Sequence, residues 1–258
     1  WPARRRLSLM RISPSLALVG SGQLGLSSRF DCHLWSVQAP EGVVLFDAGS
    51  GLKHDWVMDH LRQEFADLSR GAIVVTHAHP DHVCGLAALA GTLGWPVYAS
   101  ALSRPILETG DEAAAGLVVT RAMGGYPPDL RLAPCRVDHV YADGEQLNLC
   151  GLALTPIAQP GHSPDSSVFL CDLDGRRTLF SADVVFYGGV LGLINVDGSE
   201  LSGFRANLPK LANLGVEALL PAHGLFTLRF GQRHIDIALA QLAKGFVPRM
   251  VGQGDIIL

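Results

Sequence analysis

The stretch Thr76-His77-Ala78-His79-Pro80-Asp81-His82 constrains this chain more than any other. It follows a continuous apolar run, Ala72-Ile73-Val74-Val75, which reads as a buried strand about to end, here spanning residues 72–76. At an extended strand end His77 and His79 project to the same side, because side chains alternate with period two. Pro80 cannot extend a hydrogen-bonded ladder and suits the first turn of a helix. Asp81 and His82 then open a helix running through Gly85-Leu86-Ala87-Ala88-Leu89. Three imidazoles and a carboxylate thereby point into one small volume. Such a set suits zinc, with manganese and iron as rivals. The plain alternative is a surface group of histidines capping a helix.

At 258 residues the chain can form one large domain or two small ones around a substantial core. Hydrophobic residues make up 48% and charged residues 17%, a globular balance rather than a disordered one. A net charge of -4 gives no reason to expect a nucleic-acid partner. No apolar run reaches the roughly 18 residues that a bilayer span needs, so no membrane partner is expected. Five cysteines, Cys32, Cys84, Cys135, Cys150 and Cys171, show no paired metal-type spacing. They read as reduced and mostly buried, as in a cytoplasmic protein. Cys84 lies two residues beyond His82, within reach of a metal, but its place on the expected helix favours core packing. Residues 1–15 are expected to be a poorly ordered N-terminal extension, with Met10 as the natural start. Ser8, Arg11, Ser13 and Pro14 interrupt the weakly apolar stretch after Arg4-Arg5-Arg6, which is not a signal peptide pattern.

From residue 16 onward no linker or low-complexity tract divides the chain, so 16–258 reads as a single domain. Strands are expected at Leu16–Val19, Cys32–Val37 and Val43–Phe46, with Gly20-Ser21-Gly22 a plain turn. Asp47 closes the third of these just before glycine. A helix is expected over His54–Leu68 and another strand over Val97–Ala99. Residues 101–136 break the rhythm, with a short polar helix at Glu108–Ala115 and a loop at Met123–Pro128, and are expected to cover a substrate. Strands follow at 137–142, 146–157, 166–173 and 177–182, with Asp143-Gly144 and Asp174-Gly175 as hairpin turns. A helix at Ser202–Leu214, a strand at Val216–Leu220 and a helix at Gln232–Lys244 end the pattern. Strand-rich halves flanked by helices imply an α/β fold of four layers, helix-sheet-sheet-helix.

Three later segments each set a metal-ligating residue beside a strand end: Gly161-His162-Ser163, Ser181-Ala182-Asp183 and Ala222-His223-Gly224. With the first cluster, they make the chain resemble the metallo-β-lactamase-fold hydrolase superfamily, whose signature is His-x-His-x-Asp-His followed by separated His, Asp and His. The resemblance spans about residues 16–245. It implies an αββα sandwich and two divalent ions, zinc foremost with manganese or iron possible. His77, His79 and His162 would hold the first, Asp81, His82 and His223 the second, and Asp183 would bridge them. Asp47 would orient ligands from behind. The chemistry so implied is attack by a metal-bridging hydroxide on an ester, lactone or thioester carbonyl, with Asp81 moving the proton. Ser163 belongs to the His162 turn and is no nucleophile.

Departures from individual branches narrow this resemblance. True metallo-β-lactamases generally lack the bridging aspartate that Asp183 supplies. Redox di-iron relatives carry a carboxylate where His79 stands. Glyoxalase II carries a helical glutathione-binding extension, whereas the 35 residues after His223 suffice for one helix. RNA-processing relatives carry a basic surface. What remains resembles lactonases and thioesterase-like hydrolases acting on a small acyl substrate, in a chain free to form homo-oligomers. Tyr187, four residues past Asp183, is the candidate for contacting the substrate carbonyl, and Tyr126 is a second. The rival activities are a mononuclear iron persulfide dioxygenase using His77, His162 and Asp183, and a phosphodiesterase of the same fold.

Overall fold

Along a strand, neighbouring side chains face opposite ways, and here both faces are apolar, so each sheet must be covered on both sides. The computed structural model describes residues 9–245 and 248–251. Its first sheet holds β1 (Met10–Arg11), β2 (Leu16–Gly20), β3 (Leu34–Ala39) and β4 (Gly42–Phe46) as an antiparallel run. Helix α1 (His54–Glu64) leads to β5 (Gly71–Val74), and α2 (Pro80–Val83) with α3 (Leu86–Leu93) leads to β6 (Val97–Ser100). Helices α4 (Ser103–Thr109) and α5 (Leu117–Ala122) precede β7 (His139–Tyr141). From β4 to β7 the pairing is parallel, which is why helices supply the crossovers.

The second sheet has the order β14-β11-β10-β9-β8. It comprises β8 (Leu147–Leu149), β9 (Leu152–Ala158), β10 (Ser167–Leu173) and β11 (Arg176–Ala182). A small ribbon of β12 (Val185–Phe186) and β13 (Val190–Leu191) follows, then α6 (Leu201–Asn207), β14 (Ala218–Pro221) and α7 (Gly231–Ala243). Alternation sorts the residues into three cores. Val43 and Leu45 pack outward beneath α1 and α3, while Val44 and Phe46 face inward. The inward set meets Phe169 and Phe180 of the other sheet, with the Phe46 and Phe180 rings stacked 3.9 Å apart. Val168, Leu170 and Leu179 then face outward against Phe204 of α6 and Ile235 of α7. This is the four-layer αββα sandwich. Among the described residues no helix is long and apolar enough to cross a membrane.

Several expected boundaries move, each for a local reason. Met10 and Arg11, placed in the N-terminal extension, instead pair with β2; the rest of that extension up to residue 8 lies outside the described residues. The chain leaves α1 at Glu64 because Phe65 turns extended (φ −114°) to bury its ring. The helix expected over Glu108–Ala115 is cut at Gly110, whose φ of 67° ends α4, and Asp111 then accepts from the backbone N–H of Ala113 and Ala114. The single strand expected over 146–157 is a hairpin, turning at Cys150 (φ 53°) and Gly151 (φ 84°); a cysteine at positive φ hides that turn from composition. Asp174-Gly175 does close a hairpin, between β10 and β11. Asp143-Gly144 does not: it carries the chain from β7 in one sheet to β8 in the other. The helix expected to reach Leu214 gives way at Leu208 to a 3₁₀ turn containing Pro209.

Candidate metal centre

Strand β5 ends at Val74, two residues short of the expected end, and Val75 to His79 continue as an extended loop. His79 (φ −71°, ψ 153°) precedes α2, with Pro80 in the first helical position. The expected continuous helix divides at Cys84-Gly85. Gly85 approaches the loop after β4 so closely that a Cβ would lie 2.3 Å from the Ala48 carbonyl oxygen. That approach seats α2 against Asp47 and turns His82 inward.

The four separated segments converge. His77 Nε2 lies 3.1 Å from His79 Nδ1, which lies 2.8 Å from His162 Nε2. Beside this trio, His223 Nε2 is 3.0 Å from Asp81 Oδ2, and His82 Nε2 is 3.4 Å from the same oxygen. Asp183 Oδ2 stands between the groups, 3.4 Å from His162 Nε2, 3.5 Å from His223 Nε2 and 3.6 Å from His82 Nε2. Asp183 owes its aim to an irregularity in the β11–β14 register between Phe180 and Ala182, where Ala182 takes a φ of 46°. His223 follows β14, and its neighbour Ala222 donates to the Ala182 carbonyl at 2.9 Å.

Contacts behind the ligands set which ring nitrogen faces the centre. His82 Nδ1 donates to Asp47 Oδ2 at 2.8 Å, presenting Nε2. Asp47 also accepts from the Thr76 backbone N–H and hydroxyl, both at 2.8 Å, and so ties the ligand loop to β4. His162 Nδ1 donates to the Gly192 carbonyl at 2.5 Å. Gly192 must be glycine, since a Cβ there would lie 1.7 Å from the Asp183 carbonyl oxygen. Asp165 does more than the sequence reveals. Its Oδ2 accepts from the Ala78 N–H (2.9 Å) and the Ser103 hydroxyl (2.7 Å), and its Oδ1 accepts from Ser163 (2.6 Å). One buried carboxylate thus joins the His77–His79 loop, the His162 turn and α4. Its position three residues past His162 was the available signal.

The donor set fits divalent cations. His82 Nε2, His223 Nε2 and Asp183 Oδ1 are buried with no hydrogen-bond partner among the described residues. His79 Nδ1 has two imidazole nitrogens at hydrogen-bond distance, from His77 and His162, and protons cannot satisfy all three atoms at once. Within each of two groups, His77-His79-His162 and Asp81-His82-Asp183-His223, the ligand atoms lie within 4.8 Å of one another. Protonation differs between them. Burial pushes the His77, His79 and His162 imidazoles down, His79 to about 4, with neighbouring imidazoles adding to the shift of His77 and His79. Burial also disfavours charge on His82 and His223, but nearby acidic groups outweigh it. Cys32, Asp81, Asp47 and Asp183 hold His82 well above its usual range, and Asp183 and Asp81 raise His223 to about 9. Against the same burial, His223 and His82 keep Asp183 well below the usual carboxylate range. Cys32 lies close to Asp47 and His82, beneath the centre. Cys84, by contrast, packs against the first core. Cys32 and Cys171 are buried, the other three cysteines are half-buried, and none is paired.

A cavity of about 240 Å³ opens over the ligands, lined by His79, Asp81, His162, Asp183 and His223, with His77 and His82 buried behind them. Tyr126 lines it from the stretch 101–136, as do Ala115, Gly116 and Thr120. Tyr187 does not line it. Its half-exposed ring lies 4.2 Å from that of His234, because a 3₁₀ turn at Tyr187–Gly189 rotates it onto α7. The expectation that Tyr187 contacts substrate is therefore corrected, and Tyr126 is the tyrosine at the site. Phe30 and Arg29 also line the cavity, from a loop with no motif to mark it. A larger hollow of about 870 Å³ lies over β9 and β10, and its lining includes no residue of the metal-ligating groups.

Residues 29–223 match the metallo-beta-lactamase superfamily. An uncharacterised protein of Mycobacterium tuberculosis is 24% identical over 223 residues, covering 83% of this chain and 94% of that protein. A hydroxyacylglutathione hydrolase of Albidiferax ferrireducens is 29% identical over 192 residues, covering 74% of this chain but 58% of that enzyme. Among solved structures, a metallo-beta-lactamase of Cronobacter sakazakii superposes with a TM-score of 0.71 at 22% identity, covering 93% of this chain and 94% of that one.

Proposed function

The chain belongs to the metallo-beta-lactamase superfamily, and from that premise we propose that it is a metal-dependent hydrolase of ester, lactone or thioester bonds in a small molecule. The observation that carries the reading is the position of Asp183 Oδ2, within 3.6 Å of ligand nitrogens from both histidine groups at the floor of one cavity. His77, His79 and His162 would hold one cation, Asp81, His82 and His223 the other, and Asp183 both. Two divalent cations, zinc in our reading with manganese or iron serving the same donors, supply Lewis-acid polarisation of a carbonyl and a water acidified toward neutral pH.

The chain's own groups do the rest. Asp81 directs Oδ2 at the ligand nitrogens and keeps Oδ1 in a hydrogen bond from Tyr126 at 3.1 Å, so it is placed to take a proton from water and return it to the leaving group. Phe30, Ile194 and Val196 offer apolar walls for the acyl portion. Similarity to a hydroxyacylglutathione hydrolase supports the thioester branch. A persulfide dioxygenase would need only His77, His162 and Asp183. The Nε2 atoms of His82 and His223, which face carboxylates but have no hydrogen-bond partner among the described residues, support two occupied positions instead.

The test is reconstitution with zinc, metal quantification and a screen of thioesters, lactones, esters, β-lactams and phosphodiesters. Close to two ions per chain with turnover of an acyl substrate is the expected result. One iron with oxygen consumption on a persulfide, or full loading with no acyl turnover, would overturn it.

A further inference from the structure

The cavity over the ligands has one permanent side-chain cation in its lining, Arg29. The guanidinium carbon sits 4.4 Å from the centroid of the Phe30 ring. The Phe30 ring lies 5.6 Å from that of Tyr126, whose hydroxyl reaches Asp81. A run of contacts therefore leads from Arg29, in the cavity wall, to the Asp81 carboxylate among the candidate ligands. None of the described acidic side chains forms an ion pair with it. The adjacent carboxylate, Asp31, is fully engaged elsewhere. Its Oδ1 accepts from the Ser50 N–H (2.7 Å) and hydroxyl (2.5 Å), and its Oδ2 from the Ser28 N–H (3.0 Å). Asp81 and Asp183 are committed to imidazoles. The chain as a whole carries a net charge of -4, so this cation is not part of a general basic surface.

We infer that Arg29 anchors a carboxylate on the substrate, remote from the scissile bond, so that the substrate class is a short anionic acyl compound: an ester, lactone or thioester bearing a free carboxylate. The planar guanidinium fork matches the two carboxylate oxygens, and a cavity of about 240 Å³ admits a short chain between that anchor and the ligands. Aromatic stacking leaves the N–H groups at the guanidinium edge available to the ligand. This inference rests on the acyl-hydrolase reading, and its test separates the two.

Succinate and butyrate differ by one terminal carboxylate, so their affinity ratio isolates the anchor. Calorimetry on the zinc-loaded protein is expected to show succinate binding at least tenfold tighter than butyrate. Arg29→Gln should reduce that ratio about tenfold, and Arg29→Lys should retain part of it, with metal content and melting temperature reported for each variant. In parallel, kcat/KM for the S-ethyl monothioester of succinic acid, relative to S-ethyl thiobutyrate, should fall in Arg29→Gln mainly through KM. An unchanged affinity ratio in Arg29→Gln, or no preference for succinate in the parent protein, would overturn the inference. If no thioester, lactone or ester is hydrolysed while the succinate ratio still depends on Arg29, the hydrolase reading fails and the anion anchor stands.

Discussion

The hydroxyl of Tyr126 donates a hydrogen bond to Oδ1 of Asp81 at 3.1 Å, while Oδ2 of the same carboxylate lies 3.0 Å from His223 Nε2. Burial pushes the Tyr126 phenol far above its ordinary value, and the charge on Asp81 adds to the shift, so the hydroxyl remains a donor at any working pH. Tyr126 is thus a positioning residue for Asp81. Tyr126→Phe should weaken binding at the Asp81-His82-His223 position by roughly 10- to 100-fold while sparing the three-histidine position. Zinc titration against a competing chelator reads both affinities. Equal loss at both would point to general unfolding, and no loss would remove the positioning role.

Removing a ligand should separate metal content from fold. His79 is half-buried on a loop outside the three cores, so His79→Ala should abolish hydrolysis with a loss of about 1 kcal/mol or less in stability. Asp183→Ala should lower the metal content below two per chain, because it contacts both groups. Two tightly held ions in that variant would count against a shared aspartate.

The two metal positions should respond differently to pH. His79 falls to about 4, so at neutral pH the first trio offers free nitrogens and binds without releasing a proton. His223 rises to about 9 and His82 lies well above its usual range, so each carries a proton that a cation must displace. Affinity at the second position should therefore rise with pH up to about 9, and affinity at the first should be nearly flat above about 6.5, the ordinary imidazole value. Calorimetry of the apoprotein in buffers of different ionisation enthalpy counts the protons. Equal release for both equivalents would contradict this.

His33 should make the apoprotein acid-sensitive. Its imidazole is buried between the Ser21 hydroxyl and the Gly224 carbonyl, and burial lowers it to about 4. Because the unfolded chain protonates near 6.5, this group's contribution is present above that value and is lost as pH falls from 6.5 to 4. The full loss is on the order of 3 kcal/mol. Urea melts of the parent and His33→Gln across that window should converge as pH falls. Parallel curves would show that His33 is not the sensitive group.

Asp165 should act through the loops it joins. Asp165→Ala leaves the Ala78 N–H without its acceptor and turns the Ser103 and Ser163 hydroxyls onto Ser100 and Ser166, a loss of about 2 kcal/mol, and should weaken the three-histidine position. Asp165→Asn keeps an acceptor and should recover part of both. Unchanged zinc affinity in the alanine variant would confine Asp165 to the fold.

Much of the layering was legible because burial on both faces leaves a continuous apolar run, as in Val43-Val44-Leu45-Phe46. The turns were less so. Cys150 adopts a left-handed conformation without being Gly, Asn or Asp, and Asp143-Gly144 has hairpin chemistry yet joins two sheets. Tyr187 shows the same limit at the site, because counting residues from Asp183 cannot register a 3₁₀ turn that rotates the ring away.

All seven candidate ligands that the structure gathers could be named from the sequence, since cation chemistry demands imidazole and carboxylate and each stands near a strand end. Tertiary structure alone decided which groups stand behind and above them. Asp165 and Tyr126 reach the centre, and Phe30 links Arg29 to them, through contacts between segments up to 96 residues apart in sequence, as Phe30 and Tyr126 are. No local pattern encodes such meetings, because they depend on how two sheets and their loops pack rather than on the period of any one element.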